Sequence, residues 1–235
     1  KNGSLDKMLE KEAKKEAPEK MFNSFMQNGF SGDVDVEIAL FTKMKGSITT
    51  NKDPTNFVKI TFFANKLVQE GNKKAAEFLK EAFGSVIGKG KKTLSKKDIP
   101  DTNVTSLNVS PTIETIQPDT FAGLKNLLYV NLPPDIKVLG QNVFKGCKNL
   151  IWINLNSKIT EIEPGTFEDC SNLKYIEFSP TITSIKEGAF KKCVSLEQVH
   201  IPKSVNQIEK NAFHGCKKLK IVHMNPSTEY ATASS

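Results

Sequence analysis

Hydrophobic residues in the second half of the chain recur on a fixed count. Ile136, Leu139, Phe144, Cys147, Leu150, Ile153 and Leu155 are followed by a restart at Ile159, 23 residues after Ile136. Phenylalanine stands at Phe121, Phe144, Phe167, Phe190 and Phe213, and cysteine at Cys147, Cys170, Cys193 and Cys216, with the same step; Leu124 fills the cysteine slot one repeat earlier. A period in the range of roughly 20 to 29 residues is the signature of a solenoid, in which each turn of chain stacks on the next. Along the strand Leu150 to Leu155 side chains alternate between faces, so Leu150, Ile153 and Leu155 enter the interior while Trp152 and Asn154 face out. The cysteines share one inward slot, which reads as a ladder of small buried thiols rather than as disulfides or metal ligands.

Moving back one period from Leu127, Val130 and Leu132 gives Val104, Leu107 and Val109, but no phenylalanine or cysteine slot precedes them. This reads as a half-turn whose apolar end needs a lid, and the front of the chain offers helices for that role. Leu5, Met8 and Leu9 open one helical stretch over 4–28, interrupted at Pro18 and resumed by Met21, Phe22, Phe25 and Met26. Val34 to Met44 fits both a strand and a helix, with helix preferred. Asp53 and Pro54 start a stripe of Phe57, Ile60, Ala64, Leu67 and Val68. Ala75, Ala76, Leu79, Ala82, Phe83 and Val86 form another, ended by Gly88 and Gly90, and the last two helices should pair antiparallel. The expected division is a helical domain over 1–88, a basic linker over 89–103, the solenoid over 104–226 and a flexible tail over 227–235.

Charge separates the halves. Residues 1–100 hold 19 Lys against 13 Asp and Glu, and residues 101–235 hold 14 against 13. No arginine occurs, so the planar fork that reads guanine edges is missing and sequence-specific nucleic-acid binding is not expected. No run of 18 apolar residues offers a membrane-spanning helix. Lys1 is not an initiator methionine, and the chain reads as a processed piece of something longer. Glycosylation sequons stand at Asn2, Asn103 and Asn108. There is no phosphate-cradling glycine loop and no nucleophile elbow, and neither a cofactor nor enzymatic activity is expected.

The run Ile182, Ile185, Gly188, Ala189, Phe190, Cys193, Leu196, Val199, Ile201, Pro202 and Val205 resembles the BspA-type leucine-rich repeat. The resemblance covers about 104–224, with departures at Leu124 in the cysteine slot and at Asn156 and Ser179 in the proline slot. It implies a curved right-handed solenoid of about five turns with a parallel sheet on its concave side. It also implies a place at the cell surface or outside the cell, and adhesion as the task.

Two outward columns on that sheet are the candidate binding site. One runs Ser106, Tyr129, Trp152, Tyr175, Gln198, Ile221, and the other Asn108, Asn131, Asn154, Glu177, His200, His223. Adjacent strands lie about 4.8 Å apart, which makes Tyr129, Trp152 and Tyr175 an aromatic strip suited to a protein or glycan partner. Tyr129, Asn131, Trp152, Asn154, Tyr175, Glu177, Gln198 and His200 are the expected contact residues. Stacking of like side chains to stiffen the sheet is the competing reading. Glu177, His200 and His223 on successive strands are a minor candidate for a divalent metal. The main functional reading is a monomeric, non-enzymatic interaction module, adhesin-like. The alternative is an intracellular scaffold or secreted effector whose two halves bind different partners.

Overall fold

The structure, a computed structural model, describes residues 73–155, 158–223 and 229–230. The helices expected before residue 73 lie outside the described residues, and so does the expected flexible tail except for Glu229 and Tyr230, which form a strand paired with Gln207 and Ile208. Two compact units divide between Ala82 and Phe83.

The described element of the first unit is α1 (Lys73–Phe83), whose last residue falls in the second unit. Ala75, Leu79 and Phe83, one helical turn apart, are its buried positions. Ala76, expected in the same stripe, is exposed. Gly84, in the left-handed region at φ +84°, stops the helix in the usual way for glycine past a helix end. Val86 therefore does not continue the helix as the hydrophobic stripe suggested. It starts a strand.

The second unit is the solenoid, and two rows of parallel strands alternate along it. The odd row comprises β1 (Val86–Ile87), β3 (Ser106–Val109), β5 (Tyr129–Asn131), β7 (Trp152–Leu155), β9 (Tyr175–Phe178), β11 (Gln198–His200) and β13 (Ile221–His223). The even row comprises β2 (Thr93–Leu94), β4 (Thr115–Ile116), β6 (Val138–Leu139), β8 (Glu161–Ile162), β10 (Ser184–Ile185), β12 (Gln207–Ile208) and β14 (Glu229–Tyr230). Pairing runs β1-β3-β5, β7-β9 and β11-β13 in the odd row, and β2-β4-β6 and β8-β10-β12-β14 in the even row. A third set of bonds joins the turns that carry phenylalanine. The amide of Phe121 donates to Val143 O at 3.0 Å, that of Phe144 to Thr166 O at 2.9 Å and that of Phe167 to Ala189 O at 2.7 Å.

The residues expected as a linker belong to this stack. Thr93 and Leu94 pair with Thr115 and Ile116, Val86 and Ile87 pair with Asn108 and Val109, and Leu94 is in the core. The neighbour of Val109 is thus another turn of the solenoid. That first turn steps 22 residues, Thr93 to Thr115, where inner turns step 23, Thr115 to Val138. Ile99, 22 residues before Phe121, packs against the core where later turns have phenylalanine. Ser95 and Asp98 tie the short 3-10 turn there, with the Ser95 amide donating to Asp98 Oδ2 at 2.9 Å.

Inside, the repeated side chains stack on their own kind. Phe121, Phe144, Phe167, Phe190 and Phe213 form one ladder with ring centroids 5.1 to 5.3 Å apart. Phe178 meets Phe190 edge-on at 5.8 Å. The four cysteines are free thiols, each donating at 3.1 Å to the carbonyl of the phenylalanine 26 residues before it. A buried thiol with an acceptor is a small core residue, and burial pushes Cys147 up to about 12.

Candidate functional site

Alternation along the odd strands sets which residues leave the interior. In β9 the pattern is complete: Ile176 and Phe178 are buried, Tyr175 and Glu177 half-buried. The register Trp152 to Tyr175 and Asn154 to Glu177 brings both outward columns together across β7 and β9. Tyr129 and Trp152 rings lie 5.7 Å apart and 46° tilted, so two of the three aromatic residues are in contact. Burial raises the Tyr129 hydroxyl above its ordinary value.

Exposure along these columns is uneven. Trp152 was expected to face solvent, yet it is 1 % exposed while standing outside the interior cluster that holds Ile153 and Leu155. Its strand face is the expected one, but its accessibility is not: the Tyr129 ring packs against it from one neighbouring strand and Tyr175 stands in register on the other. Asn131 is 4 % exposed and gives its amide to Asn108 Oδ1 at 2.9 Å. This bond is an internal ladder across turns, the stiffening role. Asn154, Tyr175 and Glu177 are half-buried, and Gln198 and His200 are exposed. The accessible part of the candidate site therefore lies in the later turns.

His200 pairs in register with His223. The His223 side chain lies outside the described residues, and among those described no group of three His, Cys, Asp or Glu is arranged to hold a metal. Asn108, buried and engaged by Asn131, is not an accessible sequon in the folded chain; Asn103 is exposed. No described helix is long and apolar enough to cross a membrane.

Charged columns on the other rows are sandwiches between turns. Glu114 lies between Lys92 and Lys137, with Lys137 at 2.6 Å. Those two ammonium groups, Lys137 first, hold its carboxyl down at about 2. Glu168 lies between Lys145 at 2.9 Å and Lys191 at 3.1 Å. Its carboxyl is likewise lowered, Lys145 being the main cause. Such exposed pairs register one turn on the next and add little stability each.

Residues 92–220 match the model of the BspA type leucine rich repeat region in six copies. Among solved structures the chain is similar to three leucine-rich repeat proteins, and the first of them shares its fold. A leucine-rich repeat protein from Eubacterium ventriosum is 24% identical with a TM-score of 0.54, over 57% of this chain and 37% of that one. One from Bacteroides ovatus is 19% identical with a TM-score of 0.48, over 60% and 43%. The leucine rich repeat protein of T. pallidum is 23% identical with a TM-score of 0.44, over 50% and 68%. The chain thus spans well under half of the Eubacterium and Bacteroides proteins. No curated protein matches it.

Proposed function

Because this chain belongs to the BspA-type leucine-rich repeat family, we propose that it is a non-enzymatic protein-interaction module holding its partner on the outer face of the odd strands. The observation that carries this is the row Tyr175, Glu177, Gln198 and His200. It is aromatic, acidic, amide and imidazole side by side, on strands held rigid by the stacked interior. Rigid scaffolds that present an aromatic anchor among polar groups suit a protein surface, since little side-chain freedom is lost on contact. Trp152, the residue sequence would choose as the anchor, supports the face from within it.

We place the module at the cell surface or outside the cell, adhesin-like. Sequencing the full-length reading frame tests this: an export signal at its start is the expected result, and a start without one rejects the placement. The test of the face is a comparison of proteins captured by the parent chain and by Tyr175→Ala with His200→Ala, both checked for an unchanged melt. Loss of one partner from the double variant is the expected result, and an identical set of partners rejects the face. The register of His200 with His223 favours one second reading, a divalent metal held with Glu177. Zinc calorimetry on the parent and on His200→Ala decides that, identical flat traces ending it.

A further inference from the structure

Lysines and carboxylates are unevenly spread along the solenoid. Residues 101–185 carry six lysines against nine aspartates and glutamates, net −3, while residues 186–220 carry eight lysines against three glutamates, net +5. Ion pairs absorb part of that excess. Lys186 lies 3.1 Å from Glu161 and 3.5 Å from Glu209, Lys191 lies 3.1 Å from Glu168, and Lys210 lies 3.5 Å from Glu187. Lys192, Lys217, Lys218 and Lys220 are exposed, and among the described residues none of them has a carboxylate partner.

The backbone sets Lys192 on the turn before Lys217, Lys218 and Lys220. The Lys192 amide donates to His214 O at 2.7 Å. A Cβ placed on Gly215 would meet Lys192 Cα and Cγ at 3.6 Å, so the lysine stem runs over Gly215, two residues before Lys217. Lys192 itself is left-handed at φ 61°, in a slot that other turns fill with Gly123, Gly146, Asp169 and Gly215. A long side chain in that conformation is disfavoured, and its exposure means that packing does not explain its presence. What it adds to the corner is charge.

We propose that Lys192, Lys217, Lys218 and Lys220 form an electrostatic docking surface for an acidic protein segment, a short run of aspartates and glutamates. Four positive charges on two adjacent turns, without a paired carboxylate among the described residues, favour an approaching run of carboxylates. Turns lie about 4.8 Å apart and an extended peptide rises about 3.4 Å per residue, so the footprint suits a few acidic residues rather than a long polyanion. The ammonium is a point charge without the fork that selects phosphates. The one large exposed hydrophobic among the described residues, Val138, lies in an earlier turn, so the described side chains of this corner offer no apolar wedge for a membrane.

The test is fluorescence anisotropy of a labelled oligoglutamate peptide with the full chain, at low salt and again at high salt, with heparin and anionic vesicles as parallel probes. Oligoglutamate should bind at low salt and dissociate as salt rises. Lys192→Glu, Lys217→Glu and Lys218→Glu together should weaken it at least about tenfold. The same reversal at Lys96, Lys97 and Lys125, exposed lysines of earlier turns, should change it less than about twofold. If the first triple melts early, Lys→Gln at the same three positions replaces it. Equal losses from both triples, or binding of heparin or vesicles without oligoglutamate, overturns the proposal.

Discussion

Two slots in every inner turn hold the backbone left-handed. One runs Asp119, Asn142, Gly165, Gly188, Asn211 and the other Gly123, Gly146, Asp169, Lys192, Gly215, all at φ between 56° and 79°. Glycine, asparagine and aspartate tolerate this region, and lysine does so at a cost. Lys192→Gly should therefore raise stability by roughly 1 kcal/mol in thermal melts, while weakening the basic corner. Gly165 is constrained differently: a Cβ there collides with Asn142 Oδ1, so Gly165→Ala should destabilise through both backbone and contact. Asp98 supplies a pH test. Lys91 and Ser95 hold its carboxyl at about 2, below the ordinary 3.8, so its contribution is present above the ordinary value and is lost as pH falls toward about 2. The melting gap between the parent and Asp98→Asn should close over that window. Cys216 is half-buried where the other thiols are buried; an aromatic disulfide reagent should titrate it alone in the folded chain and all four after unfolding.

At the scale of the element, the phenylalanine ladder and the odd strands differ in how far sequence reveals them. Phe144, Phe167 and Phe190 could be placed inside from their spacing alone, since a slot repeated every turn must point the same way in every turn. Phe167→Ala, with a stacked ring above and below at 5.2 and 5.3 Å, should cost about 3 to 5 kcal/mol in denaturant melts. Trp152 shows the limit of the same logic. Alternation fixes the side of a strand on which a residue stands, but accessibility depends on what surrounds it in space. Trp152→Ala should accordingly behave as a core truncation, costing about 3 to 5 kcal/mol, whereas a surface aromatic would be near neutral. The first turn was hidden for another reason. Its 22-residue step and Ile99 in place of phenylalanine break the count that made the others visible, so Thr93 and Leu94 looked like part of a charged linker.

For the solenoid as a whole, stability is a sum of contacts between neighbouring turns. A chain beginning at Asp101 loses β1 and β2 and uncovers Val109, Ile113 and Ile116, all buried in the complete stack. It should aggregate where the full chain stays dispersed, as light scattering would show. Charge was legible from sequence only at the right window: half the chain averages to near neutrality, and two turns do not. The candidate binding face was legible as two columns of residues, but not the shift of its open portion toward Tyr175 and His200.

Inner turns pair with a constant step of 23, as in Thr115 to Val138 and Ser184 to Gln207, while the end pairings, Thr93 to Thr115 and Gln207 to Glu229, step 22. A tandem duplication of residues 136–158 would therefore lengthen the rod by one rung and leave every other side chain on its present face. Reach along a partner can grow or shrink by whole units of coding sequence.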